Sequence, residues 1–177
     1  MPAPDAAGDQ DPADHVDEVL AQWRAEAPGL DVSPMAVIGR LSRAHRAVEV
    51  ALRRNFAAHG LDRASFDVLA TLRRSGAPYR LTPGQLGRST MVTSGAVTQR
   101  LDRLESEGLV RRTPSPTDRR GVEVELTPAG HEVLDRVLPA HLDVEGRLLA
   151  GLDEDQRASV VAALRLLVAS VEAAEHD

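Results

Sequence analysis

Residues 82–130 constrain the fold of this chain more than any other part of the sequence. Thr82 and Gln85 have the spacing of a capping box, in which their side chains bond the first backbone groups of a helix. The pattern predicts four elements in order: a short helix after Thr82, a second helix at about 92–107, and two strands at 109–113 and 121–127. Two adjacent helices followed by a β-hairpin predict a winged helix-turn-helix.

Helical patterns flank this segment on both sides. Val16, Val19, Leu20 and Trp23 fall at i, i+3, i+4 and i+7, which is typical of one face of an amphipathic helix. We therefore predict a mainly α protein with a small β-wing. Its predicted parts are a disordered N-terminus at 1–12, an extra N-terminal helix at 13–30, and a body at 31–177, with the winged helix-turn-helix at about 62–127 and dimerisation helices at about 34–60 and 128–175.

The composition excludes several functional classes. The 177 residues include no Cys, which rules out disulfides, thiol redox sensing and zinc–thiolate sites. The six His show no spacing typical of a metal site, so we predict no metal and no cofactor. No apolar run reaches the ~18 residues of a membrane span, and the N-terminus lacks the pattern of a secretory signal. We expect a cytoplasmic protein without a membrane partner.

The charge is distributed unevenly along the chain. The formal net charge is −6, yet residues 80–121 contain eight Arg and four acidic residues, a local net charge of +4. The remainder carries −10. A basic segment on an acidic body is typical of a protein that presents one face to phosphates. This distribution favours double-stranded DNA as a partner.

The predicted second helix has one apolar face and one polar face. Val97, Leu101 and Leu104 share the face expected to meet the core, while Gln99 lies on the other side. Hydroxyl and amide side chains read base edges in the major groove, and a glycine allows close backbone approach. The predicted DNA-binding residues are Arg88, Ser94, Gly95, Thr98, Gln99, Arg103, Arg119 and Arg120.

Simpler interpretations exist for these residues. The second helix could be an ordinary surface helix, and Asp118-Arg119-Arg120 a solvated turn. The capped helix before it and the hairpin after it favour the DNA-binding interpretation. Arg111 and Arg112 should point to opposite faces of the first wing strand, so that only one of them faces the protein.

Residues from about 37 to 171 resemble the MarR family of bacterial transcriptional regulators. The run from Asp118 to Gly130 is similar to the family's D-x-R-x5-L-T signature, and Ser94 to Leu101 resembles its recognition helix. The resemblance implies an obligate homodimer that binds a pseudo-palindromic operator with one recognition helix per half-site. It also implies a repressor that is released by a small anionic or phenolic ligand.

The chain further resembles a urate-responsive subgroup of this family. Trp23 on an extra N-terminal helix, Asp67, Arg100 and Arg112 match the ligand-binding residues of the subgroup. The resemblance implies that Trp23 and Arg100 hold a purine anion and that Arg112 is linked to Asp67. Arg100 lies at the edge of its helix's apolar face, where a guanidinium needs an anionic partner. Asp67 is a candidate partner, and an arriving anion would compete with it and move the recognition helix.

Three of these four assignments have a structural alternative, and so does the function. Asp67 could form an exposed i, i+4 pair with Arg63, Trp23 could be a packing residue, and Arg100 could belong to an interior ion pair. The effector could instead be a phenolic or aromatic acid, or the chain could be a ligand-independent architectural winged helix. The sequence shows no nucleophile elbow or phosphate-binding glycine loop, so we do not expect an enzyme.

Overall fold

The computed structural model describes residues 13–91, 94–115 and 121–175, with only the backbone for 94–98. In this part of the chain the elements are α1 (His15–Glu26), α2 (Ser33–Ala58), α3 (Arg63–Arg74), β1 (Arg80–Leu81), α4 (Pro83–Ser89), α5 (Ser94–Ser106), β2 (Val110–Pro114), β3 (Val122–Leu126), α6 (Pro128–Leu148) and α7 (Glu154–Ala174). The predicted class, mainly α with a small β-wing, is confirmed. The expectation of disorder at 1–12 lies outside the described residues.

The chain divides after Val50 into two compact units, and α2 contributes to both. The first unit is a helical hairpin of α1 and the start of α2, closed over Val16, Leu20 and Val32. At its polar end the Arg40 guanidinium bonds Asp17 at 2.7 Å and the helix-capping Asp14 at 3.0 Å. The apolar stripe predicted for α1 is therefore the one that packs.

The second unit contains the winged helix-turn-helix. Its core gathers side chains from α2, α3, α4, α5, the strands and α6 around Phe56, Leu69, Leu72, Leu86 and Leu104. The Thr82–Gln85 capping box at the start of α4 is confirmed, and Asp153 and Gln156 form a second capping box at the start of α7.

The sheet is larger than the sequence predicts. Its order is β1-β3-β2, all antiparallel, with Arg80 opposite Glu125 and Arg111 opposite the same glutamate on the other side. The two wing strands confirm the predicted hairpin with boundaries shifted by a residue, whereas β1 was missed. A strand of two residues is too short to show the alternation by which strands are recognised.

Within 13–91, 94–115 and 121–175, no helix combines the length and apolarity needed to cross a bilayer.

Candidate nucleic-acid interface and effector residues

Helix α4 is fixed at both of its ends. The Thr82 hydroxyl accepts from the Gln85 N–H at 3.2 Å, and the Gln85 side chain accepts from the Thr82 N–H at 2.8 Å. Leu86 is completely buried beneath the helix. Arg88 is exposed in the last turn, and among the described residues no carboxylate lies within ion-pair distance of it. This guanidinium is available to an external anion.

Helix α5 follows α4 and packs as its amphipathic pattern predicts. Leu101 and Leu104 are buried, whereas Gln99 is exposed on the opposite side. Ser94, Gly95 and Thr98 belong to the helical backbone, but their side chains lie outside the described residues. The exposed amide of Gln99 has the chemistry to bond a base edge.

On its α3 side, α5 is joined to Asp62. Arg100 Nε lies 3.2 Å from Asp62 Oδ2, and Arg103 NH1 lies 3.5 Å from the same oxygen. Arg103 also bonds Glu107 at 2.8 Å on its own helix. Both arginines, one predicted to bind the effector and one to contact DNA, therefore already have carboxylate partners within the chain.

On its wing side, α5 is joined to Arg112. The Arg112 guanidinium bonds Asp102 and Glu105 together, and its backbone N–H donates to Glu105 at 2.9 Å. This backbone hydrogen bond is the main cause that lowers the pKa of Glu105, with the guanidinium adding to it. Arg112 is thus the wing arginine that faces the protein, as the strand alternation predicts for one of the pair.

Arg111 of the wing and Arg80 of β1 are also paired within the chain. Glu125 bonds Arg111 at 2.9 Å and Arg80 at 2.9 Å, one from each neighbouring strand. The hydrogen bond from Arg111 is the largest cause that lowers the pKa of Glu125. The basic segment therefore has less uncompensated positive charge than its count of arginines indicates. Arg119 and Arg120, at the predicted wing tip, lie outside the described residues.

The partners predicted for the effector residues need correction. Arg100 faces Asp62 and not Asp67, and Arg112 is held by Asp102 and Glu105. The Asp67 carboxylate accepts a hydrogen bond of 2.6 Å from the Met91 N–H, just beyond α4. Asp67 therefore ties α3 to the segment between the two helices of the motif. The physical reason is that Asp62, at the start of α3, reaches the flank of α5 on which Arg100 lies.

Trp23 lies on α1 in the first unit and is 43% exposed, while Asp67, Arg100 and Arg112 belong to the second unit. The roles of all four in binding an effector stay predictions. The residues that sequence reasoning missed are Asp62, Asp102 and Glu105, which hold the arginines. Asp62 was recognisable as a helix cap, but no local spacing indicates a partner on another element.

Comparison with known proteins identifies the group to which this chain belongs. The sequence model of the MarR family matches residues 59–121. The chain is 41% identical over 157 residues to the HTH-type transcriptional regulator PecS of Dickeya dadantii, covering 89% of this chain and 92% of that protein. The chain belongs to the MarR family. The other members reported below share its fold at lower identity.

Two solved structures, the first of them a MarR-family regulator, are similar over most of the chain. Sco3205 of Streptomyces coelicolor, solved in complex with DNA, has a TM-score of 0.71 and 27% identity over 78% of this chain and 88% of its own. Bordetella bronchiseptica BpsR, whose DNA binding is regulated by 6-hydroxynicotinic acid, has a TM-score of 0.68 and 26% identity over 75% and 92%. This MarR-family chain is a transcriptional regulator and not an enzyme.

Proposed function

We propose that this MarR-family regulator is a ligand-responsive DNA-binding repressor, which acts as a homodimer on a pseudo-palindromic operator. The observation that carries the proposal is that α5 presents the exposed Gln99 next to the capped helix α4 and the β2–β3 wing. Similarity to Sco3205, which was solved with DNA bound, supports the same face as the DNA-binding surface.

In the proposed complex α5 enters the major groove and the wing follows the neighbouring backbone. Gln99, with Ser94, Gly95 and Thr98 in the first turns, reads base edges. Arg88, Arg103, Arg119 and Arg120 contact phosphates or the minor groove. Phosphate contacts fix the orientation of the protein, so the sequence preference comes mainly from α5.

We propose urate or a related purine anion as the effector. Resemblance to the urate-responsive subgroup supports this proposal through Trp23, Asp67, Arg100 and Arg112. The contacts of Arg100 and Arg112 give it a physical basis, because each guanidinium is already held by carboxylates and an incoming anion would compete for it. Such competition loosens α5 on one or both of its flanks and lowers its affinity for the operator.

A second candidate effector is an aromatic acid. BpsR, similar over 75% of this chain, is regulated by 6-hydroxynicotinic acid. An aromatic carboxylate offers a guanidinium the same negative charge as a purine anion does. The two candidates differ in ring size and in the position of the charge, so a titration with both distinguishes them.

The proposal is tested by fluorescence anisotropy of a labelled duplex from the DNA upstream of the chain's own gene. Binding is compared with that of a random duplex at fixed salt, and urate, 6-hydroxynicotinic acid and the neutral purine adenine are then titrated. We expect selective binding of the upstream duplex that urate reverses and adenine does not.

Each other outcome has a defined meaning. If 6-hydroxynicotinic acid releases the DNA and urate does not, the effector is an aromatic acid and not a purine anion. Selective binding that no effector reverses would contradict the ligand response, and equal affinity for both duplexes would favour an architectural winged helix. Arg100→Ala should still bind DNA and lose release by the effector, and loss of binding by a folded Arg100→Ala would make Arg100 a DNA contact.

A further inference from the structure

Asp62 performs two tasks with one carboxylate. Oδ1 accepts the Ser65 N–H at 2.8 Å and so caps the N-terminus of α3. Oδ2 faces α5, at 3.2 Å from Arg100 Nε and 3.5 Å from Arg103 NH1. One end of α3 and one flank of α5 are therefore held by the two oxygens of a single side chain.

Arg100 and Arg103 both lie close to the same oxygen of this carboxylate. They are three residues apart on α5, so they lie on the same side of the helix. Arg100 Nε is buried, and within the part of the chain that the structure describes it has no aligned hydrogen-bond acceptor. The Arg100 side chain as a whole is 34% exposed, so water solvates part of the guanidinium and a nearby opposite charge adds a modest stabilisation. Asp62 supplies that charge.

We infer that Asp62 is a positioning residue for α5, which sets where the DNA-reading helix lies relative to α3. The inference rests on the proposed function, because only a DNA-reading helix gives this placement a consequence for operator selection. Removal of the Asp62 charge leaves Arg100 and Arg103 without their shared partner on this flank. The helix then samples other positions, and the contacts that depend on its register weaken.

The amide of asparagine separates the two tasks of Asp62. Asparagine caps a helix about as well as aspartate, so Asp62→Asn keeps the bond to Ser65. Its single oxygen is then occupied, and its NH2 group faces two guanidinium groups that can only donate. Asp62→Ser also caps, but its side chain is too short to extend to α5. Asp153→Asn, at the cap of α7, is the matched control for the same change of charge.

The experiment compares the wild type with Asp62→Asn, Asp62→Ser and Asp153→Asn. Melting temperature reports the cap, and anisotropy gives the ratio of affinities for upstream and random DNA. Hydrogen exchange of the α5 amides at 99–106 reports the position of the helix without DNA. We expect both Asp62 variants to melt near the wild type, to exchange faster in α5 than in α3, and to lose selectivity by about fivefold, the upper range for an ion pair that is partly exposed to solvent.

A purely electrostatic effect of the lost Asp62 charge on DNA binding would give a different result from a change in helix position. Removal of a negative charge near DNA raises affinity for both duplexes alike and leaves their ratio unchanged. An unchanged ratio together with unchanged α5 exchange would overturn the inference. If the wild type itself does not select the upstream duplex, the proposed function fails, and exchange in α5 then decides alone whether Asp62 positions the helix.

Discussion

At the scale of single residues, Gly130 lies so close to the backbone before β2 that no larger residue fits at this position after the wing. Thr127 caps α6 by accepting the Gly130 N–H at 3.1 Å, and its hydroxyl lies 2.7 Å from the Gly108 carbonyl oxygen, to which it donates. A Cβ at position 130 would lie well under 3.0 Å from the backbone oxygen of Leu109, closer than real Cβ contacts are. The Leu-Thr-Pro-x-Gly string thus joins the cap of α6 to the turn before β2.

We expect Gly130→Ala to destabilise the protein by about 2–4 kcal/mol, because the obstacle is backbone and no rotamer change relieves it. Gly146→Ala is the matched control, since a Cβ at that position on the same helix meets nothing within 4 Å. It should stabilise the helix by about 0.5–1 kcal/mol. Urea unfolding followed by circular dichroism measures both values, and equal stability of the two variants would contradict the close approach.

At the scale of elements, α5 is held by ion pairs on two flanks, by Arg112 of β2 on one and by Asp62 on the other. Glu105 receives both the backbone N–H and the guanidinium of Arg112. Its pKa lies below the ordinary value of 4.5. Stability from this contact is therefore complete above pH 4.5 and disappears as the pH falls through the lower pKa of the folded state.

Glu105→Gln should accordingly have a weaker dependence of stability on pH on the acid side. We expect the wild type to lose its advantage over the variant as the pH falls below 4.5, because the variant has no proton to bind at this position. Thermal melts of both proteins between neutral pH and about pH 3 measure the difference. Parallel melting curves over this whole range would show that Glu105 does not contribute.

Substitutions in the recognition helix and in the wing should change DNA binding in different ways. Arg120→Ala is expected to weaken binding to all DNA sequences and to reduce the salt dependence of affinity, because a phosphate contact is lost. Gln99→Ala is expected to relax the base preference as well, since an amide that reads a base edge is lost. Anisotropy with upstream and random duplexes at several salt concentrations separates the two. Equal losses on both duplexes for Gln99→Ala would exclude a reading role.

At the scale of the whole molecule, α7 lacks an internal partner for its apolar residues. None of the residues of this 21-residue helix is buried within the chain, although Val161, Leu164 and Val168 form an apolar stripe. These three side chains are 43–54% exposed. An apolar stripe of this kind on a regulator's helix supports the proposed homodimer, in which a second copy covers it.

Leu164→Glu should therefore give a monomer that binds the operator weakly, because a charge would enter the proposed interface. Leu166→Glu is the matched control, since Leu166 lies on the opposite side of α7 and is 74% exposed. Light scattering coupled to size-exclusion chromatography gives the mass of each variant. If Leu164→Glu remains a dimer, the interface lies elsewhere on the protein. If the wild type is itself a monomer, the proposed homodimer does not form.

The sequence predicts what depends on neighbouring residues and misses what depends on distant ones. The helix start at Thr82 was predicted because a cap and its bond lie within four residues of each other. The wing hairpin was predicted for the same reason. The pairing of Asp62 with Arg100 was not, because which carboxylate reaches a guanidinium depends on how α3 and α5 pack. The position of Arg100 on its helix indicated that it needs an anionic partner, and only the fold shows that this partner is Asp62.

The open stripe on α7 also bears on how much of this protein a cell must contain. When two copies complete each other's fold, dilution below the dissociation constant of the pair removes stability and operator affinity together. Expression level then acts as a threshold and not as a proportional control. If the chain is the homodimeric repressor proposed above, a small drop in synthesis near that threshold would relieve repression without any effector.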